Sequence, residues 1–147
     1  MAEIKIIKRR IEDIKPYENN PRRNNKAVGP VLESIKSFGF RNPIVINREG
    51  VVLAGHTRLE ALKKMGVVEV ECIELSHLSK EQEDAFRVAD NRVADFSFWD
   101  RDLLQQEMVE INADDWEKFG FNDKDLAFMK APDQCTCPKC GKTFIKV

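Results

Sequence analysis

The chain has 147 residues, 42% hydrophobic and 33% charged, with a formal net charge of −1. That is room for one compact domain with accessories, and the composition is that of a soluble globular protein rather than a disordered one. No apolar run approaches the ~20 residues that span a bilayer, and the opening MAEIKIIKRRIEDIK carries too much charge for a signal peptide; a cytoplasmic setting without membrane contact is expected.

The small net charge conceals an asymmetry. Residues 1–64 carry 14 Lys and Arg against 7 Asp and Glu, whereas the remainder carries 10 against 18. A basic front half suits phosphate or nucleic acid, although opposite charges pairing across the fold would account for it equally well.

In chain order, residues 3–8 read as an edge strand or extended arm, and 13–23 (DIKPYENNPRR) as a loop rich in Pro and Asn. Apolar positions 28, 31, 32 and 35 have helical spacing, with regular helix expected from near Pro30 to the stop at Gly39. PIVIN (43–47) and VVLA (51–54) are short β-branched runs joined by a hairpin turn at Arg48-Glu49-Gly50. A helix is expected from about Thr57 to Met65, with Leu59, Leu62 and Met65 on one side, and a strand over 67–75. Ser79 and Gln82 form a capping box for a helix running to about Ala94, whose buried stripe is expected to be Ala85, Phe86, Ala89 and Val93. A further helix over about 100–111 buries Leu104, Met108 and Ile111, and a short one follows Asn122. The fold class is α+β: a small mixed sheet with packed helices over 1–98, a helical appendix over 99–130, and a Cys-rich tail over 131–147.

VVLAGHTRLEALKKMG carries the most chemistry. A strand runs into Gly55 and a helix starts at once. The first helical turn has unpaired N–H groups and partial positive charge, which makes it an anion site. Gly55 permits close approach, Thr57 offers a hydroxyl, Arg58 a two-pronged donor and His56 one donor more. An ordinary strand-to-helix turn needs the same glycine, so spacing alone leaves both readings open.

The stretch Gly55-His56-Thr57-Arg58-Leu59-Glu60-Ala61 resembles the Gly-x-x-Arg box of the ParB/sulfiredoxin superfamily. Asn20-Pro21-Arg22 resembles the preceding Asn-Pro-Arg box, and Leu32 to Asn47 the helix, Gly turn and Pro-led strand of that family. Ala89-Asp90-Asn91-Arg92 lies where ParB proteins carry a third nucleotide box. The resemblance implies CTP, or ATP or ADP, bound with Mg²⁺. Gly55, Thr57 and Arg58 would hold phosphates, Asn91 with Arg92 would lie near phosphate or metal, and Asn20 and Arg22 at the rim. His56 stands where sulfiredoxins need cysteine, so sulfiredoxin chemistry is not expected. GHTRLEA followed by DNRVADFSFWDRDLL is most similar to ParB-like domains of phages and mobile elements, some of which precede DNA methyltransferases. The expected role is therefore a nucleotide-binding module beside DNA or a DNA-processing protein. The alternative is an enzyme on the same fold (nucleotide hydrolase, small-molecule kinase or nuclease), with Glu60 and Asp90 as candidate bases.

Of the four cysteines, Cys72 sits in an apolar strand and reads as core. Cys135, Cys137 and Cys140 form a CPxCG knuckle suited to Zn²⁺, which takes four ligands in closed sites. His77, Asp133 or a partner chain would complete it, and the last option implies a homo-oligomer. Phe96, Phe98 and Trp99 read as core or interface residues.

Overall fold

The computed structural model describes residues 4–111, 115–126, 134–136 and 143–145. The chain divides into two units, residues 1–98 and 99–147.

The first unit is built on a four-stranded mixed sheet in the order β1-β4-β2-β3, from β1 (Lys5–Arg10), β2 (Ile44–Ile46), β3 (Val52–Ala54) and β4 (Glu69–Glu74). β1 lies antiparallel to β4, β2 parallel to β4, and β3 antiparallel to β2. Three helices complete it: α1 (Val28–Phe38), α2 (His56–Lys64) and α3 (Lys80–Ala94). The α+β mixed sheet expected from the sequence is the fold found. β1 runs two residues past the expected arm, and α2 begins one residue earlier, directly at Gly55. Pro30 sits inside the first turn of α1, where its missing N–H has no helical partner to lose.

The β2–β3 turn shows why this sequence reverses here. Asn47 accepts the Gly50 amide on its carbonyl (3.1 Å) and the Val51 amide on Oδ1 (2.8 Å). Gly50 has φ +77°, and a Cβ there would sit 2.7 Å from the Asp13 carbonyl oxygen. That carbonyl begins the 14–24 loop, which docks on β3 through Lys15 N–H to Gly50 O and Val52 N–H to Lys15 O, both 2.9 Å.

Ile14, Ile44, Ile46, Val52, Leu59, Leu62 and Cys72 are buried together, with Ile11 beside them. Each fully buried Ile or Leu contributes ~1.5–3 kcal/mol, against ~0–1 kcal/mol for an exposed ion pair, so this layer holds the unit together. Burial pushes the Cys72 thiol up to about 11, with the Arg9 cation opposing. The thiol is a core residue, protonated at neutral pH.

The capping box of α3 is present: Gln82 N–H donates to Ser79 Oγ (3.3 Å) and Ser79 N–H to Gln82 Oε1 (2.9 Å). The expected buried stripe is not. Glu83 and Arg87 are the buried residues of α3, Phe86 is half-buried, and Ala85, Ala89 and Val93 are exposed. The cause is the polar surface α3 meets. Asn47 Nδ2 donates to Glu83 Oε2 (3.1 Å), and the Arg87 guanidinium stacks 3.9 Å from the Tyr17 ring while pairing with Asp84.

The second unit contains α4 (Arg101–Ile111) and a 3₁₀ turn at Trp116–Phe119. Met108 is buried and Leu104 half-buried, but Ile111 is exposed. After Asn122 the described residues form a turn closed by Leu126 N–H to Asn122 O (3.0 Å); the rest of the helix expected there lies outside the described residues. Phe121 packs against Trp99 and, edge-on, against Trp116, at 6.2 and 6.0 Å between ring centres. Phe96 and Phe98, at the end of the first unit, are exposed rather than core. Strands β5 (Gln134–Thr136) and β6 (Thr143–Ile145) pair antiparallel, with Cys135 opposite Phe144. Cys137, Cys140 and Asp133 lie outside the described residues.

Candidate functional site

Where β3 gives way to α2, Gly55 turns with φ +102°. L-residues are strained in that region, so the abrupt start of α2 depends on glycine. No side chain caps the helix, which leaves its first amides directed at the space beyond Gly55. That space is a pocket of about 460 Å³. Gly55, His56, Thr57 and Arg58 form its floor, Arg22 comes from the 14–24 loop, Asp90 and Asn91 from α3, and Arg41 and Asn42 from the turn after α1. The inner face of α1 (Val31, Ile35) and Phe40 supply an apolar wall.

Arg58 folds back over the helix mouth. A Cβ on Gly55 would lie 3.0 Å from its Nε, and its Nη1 donates to Asn42 O (2.9 Å). Burial lowers its proton affinity and the Asp90 carboxylate opposes, so it stays a cation. Arg22 Nη1 donates to the Asn91 backbone oxygen (3.0 Å) and to Asn91 Oδ1 (3.3 Å), pinning the loop to the end of α3. Arg41 Nε donates to Phe38 O (3.0 Å). Three guanidinium groups thus surround a pocket with one lining carboxylate, Asp90. Such a cavity favours an anion carrying an apolar or planar portion.

Of the residues singled out in the sequence, Gly55, Thr57, Arg58, Arg22, Asn91 and Asp90 are brought together on the pocket wall. Three other residues have different surroundings. Asn20 is not on the wall; its Oδ1 accepts the Arg22 amide (3.2 Å) and shapes the loop. Arg92 points elsewhere, paired with Asp95 (3.2 Å) and over the Phe96 ring (4.7 Å). Glu60 is exposed and off the pocket wall. His56 is on the wall, but its Nε2 accepts the Tyr17 amide (3.3 Å). Burial, aided by the Arg87 charge and opposed by Glu60, depresses its proton affinity below that of an ordinary imidazole. His77 is exposed in a loop, and among the described residues no group of three or more His, Cys, Asp or Glu could hold a metal. Arg41 and Asn42 escaped the sequence reading. Gly39 (φ +81°) was visible as a helix stop, but not the direction in which it turns the next residues.

Comparison with known proteins decides the family. Over 80 residues the chain is 38% identical to the ParB-like nuclease domain-containing protein YnaK of Escherichia coli K12, covering 54% of this chain and 92% of YnaK. The chain belongs to the ParB-like nuclease domain family, within the ParB/sulfiredoxin superfamily. This ParB-like domain is also 35% identical over 65 residues to a probable chromosome-partitioning protein ParB of Campylobacter jejuni, 41% of this chain but only 23% of that protein. No family model matches. In fold it is similar to the C-terminally truncated ParB of Caulobacter crescentus complexed with CTP-γ-S, with TM-score 0.58, 18% identity, and coverage of 84% of this chain and 69% of that one. It is likewise similar to the Pnob8-like ParB-N domain, with TM-score 0.52, 19% identity and coverage of 99% and 59%.

Proposed function

We propose that this ParB-like domain binds a nucleoside triphosphate or diphosphate, CTP or ATP/ADP, with Mg²⁺, in the pocket at the mouth of α2. One observation carries the reading: an uncapped helix start at a positive-φ glycine, overhung by Arg58 and flanked by Arg22 and Arg41. Helix amides and guanidinium groups together match phosphate oxygens. The apolar wall gives room for the rest of the nucleotide. The Caulobacter relative, held with a CTP analogue, supports the choice of ligand. Asp90 and Asn91 supply oxygens for a hydrated Mg²⁺ carried in on the phosphates.

In this reading the protein is a cytoplasmic nucleotide-responsive module of phage or mobile-element type, working beside DNA or a DNA-processing protein. The basic front half and the partitioning relatives support that setting. An enzymatic reading rests on Asp90, the carboxylate that lines the pocket. A separate proposal concerns the tail, where Cys135, Cys137 and Cys140 would bind Zn²⁺, completed by His77, Asp133 or a second copy of the chain.

The test is titration of the protein with CTP, ATP, ADP and GTP plus Mg²⁺, following binding and product together. Arg58→Ala removes one charge-assisted contact worth ~1.5–3 kcal/mol, so affinity should fall about 10- to 100-fold. Binding without turnover supports the module, and turnover lost in Asp90→Asn supports the enzyme. A wild-type protein with no nucleotide affinity overturns both.

A further inference from the structure

We propose that His56 is a positioning residue whose Nε2 latches the 14–24 loop, holding Arg22 over the pocket, and that it is not itself a phosphate contact. The inference rests on the nucleotide-binding reading above and deepens it.

The argument follows a chain of hydrogen bonds. Tyr17 N–H donates to His56 Nε2 at 3.3 Å. A ring nitrogen that accepts carries no proton, so the ring's single proton is on Nδ1, and an imidazolium could not accept at all. Tyr17 O in turn accepts the Asn20 amide (3.2 Å), and Asn20 Oδ1 accepts the Arg22 amide (3.2 Å). Arg22 then reaches the Asn91 carbonyl (3.0 Å) on the pocket wall. The imidazole is therefore the fixed end of a short hydrogen-bonded path that ends in a pocket guanidinium.

The Tyr17 ring is clamped independently. Arg87 stacks on it at 3.9 Å, and the Lys80 ammonium lies 5.5 Å from its centre. Held by its amide from α2 and by its ring from α3, Tyr17 ties the two helices that flank the pocket to one loop. The Arg87 guanidinium is almost fully buried, and its charge acts on His56. A second cation so close disfavours the imidazolium, while Glu60, on the same helix as His56, favours it. Across the pocket stand Arg58, Arg22 and Arg41 against Asp90. The balance keeps the ring uncharged near neutrality, in the one form able to accept from Tyr17.

The two possible roles of His56 give opposite pH behaviour. A latch needs the uncharged ring, so nucleotide affinity falls in acid, at a pH lower than that at which an ordinary imidazole protonates. A phosphate contact would gain charge, and affinity would rise with acid.

The first measurement uses the ligand-free protein. ¹⁵N imidazole NMR, with His56 assigned by comparison with His56→Gln, should show the Nδ1–H tautomer at pH 7.5. Amide exchange at Tyr17 should be faster in His56→Leu and restored in His56→Gln, whose side-chain carbonyl can accept the same bond. The second measurement titrates Mg-nucleotide from pH 5.5 to 8. Relative to His56→Gln, which controls for the ligand's own titration, wild-type affinity should drop in acid. His56→Leu, its fold checked by circular dichroism, should bind about three- to tenfold more weakly, the range one neutral hydrogen bond supports. In an Arg22→Ala background, His56→Leu should cost little further affinity, since His56 acts through Arg22.

An Nε2–H tautomer, unchanged Tyr17 exchange in His56→Leu, or affinity rising with acid would each overturn the latch. Wild-type protein that binds no nucleotide would overturn the functional reading instead, and the NMR and exchange measurements would still decide the latch.

Discussion

At the scale of single residues, the pocket depends on one backbone angle. Gly55 holds φ +102°, and a side chain there would meet Arg58 Nε and Nη2 at 3.0 Å. Gly55→Ala therefore acts twice: it strains the turn, and it pushes the guanidinium off the helix mouth. The left-handed penalty is roughly 1–2 kcal/mol, large enough to read in a urea melt. Nucleotide affinity should fall along with stability, whereas Arg58→Ala should lower affinity alone. A Gly55→Ala protein with unchanged affinity would show that Arg58 does not need its present place. Gly55 and Arg58 were legible in the sequence because a strand, a glycine and a helix follow one another within a few residues. The engagement of His56 was not legible, since its partner, the Tyr17 amide, is 39 residues away and a backbone N–H leaves no mark in a sequence.

At the scale of elements, hydrophobic spacing worked where a helix faces an apolar layer and failed where it does not. Leu59 and Leu62 of α2 lie in the core as their spacing requires. On α3 the same rule selected Ala89 and Val93, both exposed, because the helix docks by Glu83 on Asn47 and by Arg87 on Tyr17. Local chemistry was the better guide there, and the Ser79–Gln82 capping box is present as written. The Cys-rich tail carries a proposal of its own. If its cysteines bind metal, purified protein should contain Zn²⁺ that disappears on deleting residues 131–147. Metal content indifferent to that deletion would end the zinc proposal. Three cysteines from one chain leave a tetrahedral site one ligand short, so a zinc-to-chain ratio near one half would point to sharing between two copies.

At the scale of the whole molecule, every wall of the pocket comes from residues 1–98. A protein ending at Phe98 should therefore unfold cooperatively in urea and keep the nucleotide affinity of the full chain. Failure of that fragment to fold would mean that the first unit needs the second to complete its core. The sheet was legible strand by strand, because β-branched runs and the turn at Gly50 stand out, but its order was not. Nothing local announces that β1 pairs with β4, which begins only at Glu69, rather than with β2.

That pairing has a consequence for how the protein comes into being. β1, made before the other three strands of this sheet, finds its sheet neighbour among the described residues in β4, the last of them, so β2, β3 and α2 can assemble while β1 still waits. Contacts so remote in sequence slow a folding reaction even when they stabilise its product. Until residue 74 is made, the Ile4–Ile6–Ile7 stretch has no β4 to pair with, and Lys5, Lys8, Arg9 and Arg10 beside it place on that open edge the kind of charge that discourages pairing with another chain.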